Sequence, residues 1–516
     1  MRTVPPDLEA RWRAAGAWTD ESLLDRFATA DPNHLALVDG DVRVTVGDID
    51  RVAGLYAARL WRAGARPGDV VTWQLPNWWE AVAFCWAIWR CGAIASPITP
   101  SLGVREVGFI LRQTDARVAA VPAEFRGVDH IALMNIAGFT GELVVLRDGT
   151  ELTWTGDAPD TEVDPDGPAL VLWTSGTTSV PKGVVHTHQS LRYEADSIAA
   201  AHAMTPGEAL LLPMPITHVA GLTYGVLLPV TSGITAVLMD RWEAHVGLEL
   251  MEREHISVMI STPVFMRTMV DHYRFDSTDT SSLRLFSIGG AGVAPAMVRE
   301  GSERFNCWCK RTYGSTEYPT LTTGQLGDDP ERDATTDGRL IGAAELRIVD
   351  PGTLADRPYG TPGELLVRGP EMFRGYLDIT LDDAFVEGGW FRTGDLAVFD
   401  GDYLTIIDRL KDVIIRGGEN ISAQEVEALL VTHPAIVEAA CVAAPDLVMG
   451  ERVCAFVITR ADDEVTLADV RAHLVAAGLA LYKVPELLEV RPDLPRTASG
   501  KIQKAPLRAE LAARSD

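Results

Sequence analysis

The chain has 516 residues, 47% of them hydrophobic, with 72 acidic against 46 basic side chains and a formal net charge of −26. That length allows a large core and more than one domain. The charge argues against nucleic acid or an anionic membrane surface as a partner, so any bound nucleotide needs a locally basic pocket.

The first residues carry acidic side chains and Pro5-Pro6, without the basic and then apolar run of a signal peptide. From residue 21 to 100, strand and helix signals alternate. Residues 35–38 and 70–73 read as short strands, and Asn77 is placed to cap a helix carrying Trp79, Val82 and Trp86 towards Gly92. Tryptophans at that spacing face a core rather than a ligand. The most apolar helical stretch, 81–89, is far short of the roughly 20 residues that span a bilayer.

Between residues 148 and 167, five Asp, two Glu and two Pro without periodicity mark an exposed connection. It leads into the stretch around which the chain is organised. An apolar strand, 169–173, ends in Thr174-Ser175-Gly176-Thr177-Thr178-Ser179-Val180-Pro181-Lys182-Gly183, and a second β-rich run follows over 184–187. Small residues let backbone N–H groups reach phosphate oxygens, the hydroxyls donate further bonds, and Lys182 adds charge. A P-loop does not fit, because it needs Gly directly before its Lys and Ser or Thr directly after.

Residues 190–204 read as a helix. In the following run, 211–221, His218 stands among small and apolar residues, and Ala220, Gly221 and Gly225 predict an apolar cavity. A strand over 283–288 opens into Gly289-Gly290-Ala291-Gly292, bare backbone on which a flat ring or an acyl chain can lie. Another, 307–312, ends in Tyr313-Gly314-Ser315-Thr316-Glu317. A β-rich unit over 338–399 ends at Trp390-Phe391-Arg392-Thr393-Gly394-Asp395-Leu396. Next come Asp408-Arg409-Leu410-Lys411-Asp412 and Arg416-Gly417-Gly418-Glu419-Asn420, then Ser422 with Glu425 as a capping box for a helix through Val431. Strands at 439–443, 453–458 and 487–490 with a helix at 467–477 form a compact α+β unit, which closes on Pro495-Arg496-Thr497-Ala498-Ser499-Gly500-Lys501.

Two compositional features bear on chemistry. Cys85, Cys91, Cys307, Cys309, Cys441 and Cys454 are scattered, and Cys307-Trp308-Cys309 lacks the second pair or the histidines of a zinc site, so they read as reduced thiols of a cytoplasmic protein. Of the 46 basic residues only six are Lys, and Lys182, Lys411 and Lys501 fall inside the segments above. Lysine there suggests a need for a compact, rotatable ammonium.

Taken in order from 173 to 501, these segments resemble the motifs of the adenylate-forming superfamily: acyl-CoA synthetases, adenylation domains of peptide synthetases, and luciferases. The matches are to T-S-G-T-T-G-x-P-K-G, with Ser179 in place of a glycine, and to Y-G-x-T-E, T-G-D and P-R-T-x-S-G-K. The resemblance implies an α/β fold with a large N-terminal domain of α/β layers and a β-rich lobe over 1–408. A hinge at 409–411 and a small mobile C-terminal α+β domain over 412–516 follow.

It further implies that Thr174, Ser175, Gly176, Thr177, Thr178 and Lys182 hold the phosphates of ATP. Gly289, Gly290, Ala291 and Gly314 border the nucleotide, Tyr313 stacks on adenine, Thr316 bonds phosphate and Glu317 holds Mg2+. Asp395 accepts the ribose hydroxyls, Arg409 binds ribose and phosphate, and His218 and Gly221 line the acyl pocket. Lys411 is the hinge, Gly417 and Gly418 admit the pantetheine arm of coenzyme A, and Lys501 is catalytic. A proline at 411 is expected to hold the adenylating arrangement.

The implied reaction converts carboxylate and MgATP to acyl-AMP and pyrophosphate, after which coenzyme A displaces AMP. Residues 215–221 lack the Asp of amino-acid activators and the Asn of dihydroxybenzoate ligases, which points to a plain carboxylic acid, medium-chain or alicyclic. An aryl acid, or delivery to a carrier protein, stays open, as does a homodimer. A catalytically silent nucleotide-binding regulator is disfavoured by the set Lys182, Glu317, Asp395 and Lys501.

Overall fold

The computed structural model describes residues 2–147, 159, 161–174, 181–460, 464–497 and 501–514. Apolar runs with little alternation become strands buried on both faces: Ala209–Leu212, Thr235–Leu238, Val258–Ser261 and Leu285–Gly289 lie parallel in one sheet. Among the described residues this sheet has nine strands, and a second, of six, joins Val70–Trp73, Ile94–Pro97, Val118–Pro122 and Glu142–Leu146 to Pro168–Thr174 and Lys182–Thr187. Both sheets contribute to one apolar cluster, which includes the helix Trp79–Arg90. Trp86 and Trp89 on that helix are fully buried, as their spacing predicts, and their indole N–H groups donate to Val226 O (3.2 Å) and Ala169 O (2.9 Å).

Asn77 does not cap that helix. The N-cap is Trp78, without a side-chain cap bond, while Asn77 Nδ2 donates to Met214 O (2.8 Å) and Met239 O (2.9 Å) and its Oδ1 accepts the Ile216 N–H (2.8 Å). These backbone groups lie just past the ends of two neighbouring strands and would otherwise be buried without partners. Satisfying three of them outweighs an N-cap worth about 1 kcal/mol. The segment that carries His218 is thereby tied down.

The β-rich lobe is a sheet of Glu345–Val349, Gly363–Arg368, Phe385–Val386, Trp390–Phe399 and Leu404–Arg409, with its own core around Leu365, Val367, Phe373 and Phe391. The C-terminal domain pairs the hairpin Ile414–Arg416 and Glu419–Ile421 with Ile436–Asp446, Gly450–Thr459 and Leu487–Val490, covered by the helices Ala423–Leu430, Leu467–Ala476 and Lys504–Ala513. Its two apolar clusters share no buried residue with those of the large domain. The architecture is therefore a large α/β domain with a β-rich lobe, followed by a small α+β domain. Among the described residues no helix is long and apolar enough to cross a membrane.

Only half of the expected capping box forms. Ser422 accepts the Glu425 N–H (3.1 Å), but the Glu425 carboxylate pairs with Lys483 (2.6 Å). Asp408 takes its place: Oδ2 accepts from Ser422 Oγ (2.9 Å) and from the Gln424 N–H (3.2 Å), while Oδ1 accepts the Arg409 N–H (2.7 Å). A carboxylate at the N-terminal end of a helix is favoured by the helix dipole. The cap of a small-domain helix is thus supplied by a strand of the lobe.

A buried acid pair joins the helix His188–Ala201 to the lobe. Thr320 Oγ1 donates to Glu194 Oε1 (2.7 Å), and Tyr318 OH (2.9 Å) and Ser197 Oγ (3.3 Å) donate to Glu371. Burial pushes both carboxyls up, and the charge of Glu371 raises Glu194 further. Raised folded values mean that the folded state binds more protons, so this stability is fully present below the unfolded value of 4.5 and is lost as pH rises through the folded values. Tm should fall between about pH 5 and pH 9, by up to about 1.4 kcal/mol of stability per pH unit for each group. Glu194→Gln should flatten that fall in thermal melts, whereas an unchanged slope would exclude the pair as its source.

Candidate active site

The site collects at the C-terminal ends of strands, where open parallel sheets leave a crevice. Tyr313 ends the strand Trp308–Tyr313 and Gly289 ends its parallel neighbour. In the lobe, Asp395 and Arg409 face each other across two antiparallel strands. Tyr313 OH donates to Asp395 Oδ2 (2.5 Å), Arg409 Nε meets Oδ1 (3.1 Å), and the Asp395 N–H donates to Thr393 Oγ1 (3.0 Å). Burial pushes the Asp395 carboxyl up and Arg409 opposes it, while Asp395 in turn raises the Arg409 guanidinium. Each carboxylate oxygen still has capacity to accept another hydrogen bond.

A second group forms around Glu317. Its Oε1 accepts from Tyr376 OH (2.8 Å), and its backbone carbonyl accepts the Phe373 N–H (2.9 Å). Burial, and then the Glu317 charge, raises the Tyr376 phenol, so it stays a donor. The other Glu317 oxygen has no hydrogen-bond partner among the described residues. A carboxylate held on one side and open on the other suits Mg2+, which takes one or two carboxylates plus substrate phosphates. The Lys182 ammonium lies 5.4 Å from the centre of the Tyr376 ring. His186, lowered to about 4 by burial and therefore neutral, donates from Nε2 to Thr316 O (2.7 Å). Thr174 pairs with Lys182 across the two strands. Ser175, Gly176, Thr177, Thr178 and Ser179 lie outside the described residues.

Lys501 reaches this cleft from the small domain. At Gly290, where φ is +75°, an added Cβ would lie 3.3 Å from Lys501 Cε and 3.5 Å from its Nζ. The residue as a whole is exposed, yet burial of its ammonium lowers it to about 8; Arg409 adds to the effect, and Asp395 and Glu317 oppose it. His218 is lowered to about 4, by burial and then by the Lys501 charge. One ammonium thus bears electrostatically on Arg409, Asp395 and Glu317 and on His218.

One expectation about glycine changes and one does not. Gly290, Ala291 and Gly292 are exposed, and a Cβ would lie 2.5 Å from Thr312 O at Gly289, 3.3 Å from Lys501 Cε at Gly290 and 3.1 Å from Gln424 Nε2 at Gly292, so only glycine leaves that backbone bare. Gly221 and Gly225, in contrast, do not open a cavity. A Cβ on Gly221 would strike Pro215 O and one on Gly225 would strike Leu212 Cδ2, so their small size lets Val219–Leu222 and the π-helical turn Thr223–Leu227 pack onto preceding chain. Gly314 likewise makes room for Pro319 O.

Gly417 and Gly418, at φ +58° and +90°, form the turn of the small-domain hairpin, and the Gly417 N–H donates to Met449 O (2.8 Å). Among the described residues they make no hydrogen bond to Lys501 or the nucleotide-side groups. Lys411 sits in the link. The Leu410 N–H donates to Gly394 O (2.9 Å) in the large domain, whereas Arg508 in the C-terminal helix donates to Lys411 O (2.9 Å) and pairs with Asp412 (2.7 Å). The sequence reading did not single out Asn77 as a backbone clamp, nor His186, Tyr376 and Asp408, since each lies in a local pattern that also fits an ordinary turn or strand.

If His218 borders the acid, His218→Ala should raise KM for the acid roughly tenfold or more and leave that for ATP nearly unchanged. Initial rates with each substrate varied in turn check this. Equal losses would make the histidine structural.

Residues 24–377 match the family of AMP-binding enzymes, and residues 425–501 match the AMP-binding enzyme C-terminal domain. The medium-chain fatty-acid–CoA ligase of Escherichia coli is 34% identical over 531 residues, covering 97% of this chain and 92% of its own. The salicyl-AMP ligase / salicyl-S-ArCP synthetase of Mycobacterium tuberculosis is 32% identical over 533 residues, covering 98% and 94%. The crystal structure of ATP-bound MatB from Rhodopseudomonas palustris superposes with a TM-score of 0.87 at 26% identity, over 96% of this chain and 100% of that one, and apo MatB superposes with 0.76.

Proposed function

The chain belongs to the AMP-binding enzyme family, and on that premise we propose that it is an AMP-forming acid–CoA ligase for a medium-chain or alicyclic carboxylic acid. The observation that carries the reading is the convergence of Lys501 with Asp395, Arg409, Glu317 and His218. Asp395 takes the ribose hydroxyls on the capacity left on its two oxygens, with Arg409 alongside, and Tyr313 borders adenine. Thr174, Lys182, Thr316 and the residues 175–178 meet the phosphates. Glu317 would hold Mg2+, which supplies charge against the phosphate oxygens. Lys501 lies where charge develops as the acid attacks the α-phosphate. His218 and Gly221 flank the acid, and Gly417 and Gly418 admit the pantetheine arm in a second arrangement.

The Lys501 ammonium, 3.5 Å from where a Cβ on Gly290 would stand, together with the higher TM-score against ATP-bound than apo MatB, supports taking the present arrangement as the adenylating one. On this reading 1–408 and 412–516 turn about a hinge at 409–411. A second reading, an aryl acid passed to coenzyme A or to a carrier protein, draws on the similarity to the salicyl-AMP ligase. A panel of acids scored by pyrophosphate release, with AMP and acyl-CoA measured together, tests both. Equal AMP and thioester, with the highest kcat/KM for a medium-chain or alicyclic acid, is expected. Preference for an aryl acid, or AMP without thioester until a carrier protein is added, would replace the first reading with the second.

A further inference from the structure

Away from the cleft, a cavity of about 310 Å3 lies between the N-terminal helix Pro6–Ala14 and the β-rich lobe. That volume suits a small organic molecule. Leu8, Trp12, Trp18, Phe373 and Phe385 give it apolar, largely aromatic walls, and Arg2, Arg374 and Glu387 also line it.

The polar groups there are under-used. Among the described residues the Arg374 guanidinium donates only to the backbone carbonyl of Arg2 (3.0 and 3.2 Å) and lies 5.3 Å from the Trp18 ring centre, while the Arg2 guanidinium lies 4.3 Å from that of Phe385. Among the described residues neither forms an ion pair. Trp12 is 2% exposed and packs as an apolar wall. A guanidinium stacked on an aromatic face keeps its edge free to donate to an anion. Two cations against the single carboxylate of Glu387 make the lining locally positive in a chain of net charge −26. The wall is also held from behind, since the Phe373 N–H donates to Glu317 O (2.9 Å) and the Arg374 N–H to Val185 O (2.8 Å).

We propose that this cavity binds a small carboxylate with an apolar body, its carboxylate received by Arg374 and Arg2, at a site separate from the acyl and nucleotide cleft. The aromatic walls take the body, and the two guanidinium groups take the charge.

Calorimetric titration of the full chain with 3-phenylpropanoate tests this. Arg374→Met should weaken binding about tenfold or more, Arg374→Lys should restore part of it, since lysine keeps the charge but not the stacked fork, and His218→Leu should leave it unchanged. The uncharged 3-phenylpropan-1-ol should bind about tenfold more weakly. Should Arg374→Met fail to fold, Val386→Trp, which fills the cavity from its rim, should abolish binding instead. Affinity indifferent to Arg374→Met and Val386→Trp overturns the proposal, as does loss in His218→Leu alone, which would place the probe in the cleft.

Discussion

Lys501→Ala is expected to slow acyl-AMP formation by about 10² to 10³ while leaving conversion of supplied acyl-AMP and coenzyme A to thioester nearly intact. The ammonium lies 3.5 Å from where a Cβ on Gly290 would stand, and it is coupled electrostatically to Asp395, Glu317, Arg409 and His218. A preorganised cation there accelerates only the step in which negative charge builds on the phosphate, which is the first half-reaction. A pH dependence follows. Burial lowers Lys501 to about 8, and lysine is charged below its pKa, so the cationic fraction falls as pH rises through that value. In kcat/KM for ATP, which reports the free enzyme, the first half-reaction should decline above about pH 8. The second should show no such decline. Pyrophosphate release and thioester formation, assayed separately, check both claims, and a parallel fall of the two half-reactions would remove Lys501 from its assigned role.

The second large effect is expected at Lys411, and here the structure reverses what the sequence suggests. Arg409 O accepts the N–H of Asp412 (2.8 Å) and of Val413 (3.1 Å), so Leu410 and Lys411 are the central residues of a tight turn. Lys411 is not among the residues with positive φ, so the turn is of the type I or helical kind. Proline at its second central position forces the residue before it out of the helical region. Lys411→Pro should therefore break the turn that holds the present arrangement rather than lock it. If the penalty approaches the roughly 3 kcal/mol that proline costs within a helical turn, the adenylating population falls roughly a hundredfold. Acid-dependent pyrophosphate release should fall with it, while thioester formation from supplied acyl-AMP changes far less. Lys411→Ala should leave both near the starting rates. A proline variant that keeps both half-reactions at full rate would sink the hinge assignment.

Much of this molecule is written locally. The buried strands are legible as apolar runs because a strand covered on both faces has no polar side to show, and Trp86 and Trp89 read as core because a helix repeats its inner face every three or four residues. Candidate residues such as Tyr313, Glu317, Asp395, Arg409 and Lys501 stand out because the short segments that carry them resemble, in chain order, the motifs of the adenylate-forming superfamily.

What the chain does not write locally is which polar group meets which. Asn77 could have capped its own helix, yet three orphaned backbone groups past the ends of distant strands claim it. Glu425 could have closed its capping box, yet it pairs with Lys483, and Asp408 of the lobe accepts from the Ser422 hydroxyl and the Gln424 N–H instead. Gly221 and Gly225 could have left a void, yet Pro215 and Leu212 fill the space. By itself the sequence determined the fold class, the order of the segments and the chemistry each offers, since these depend on a residue and its near neighbours. Only the tertiary structure decided the partners of Asn77, Asp408 and Tyr376, the filling of the space beside Gly221 and Gly225 and the cavity beneath the N-terminal helix. Burial makes an unpaired polar group or an empty volume costly, and that cost is settled by contacts that a residue's immediate neighbours in the chain do not reveal.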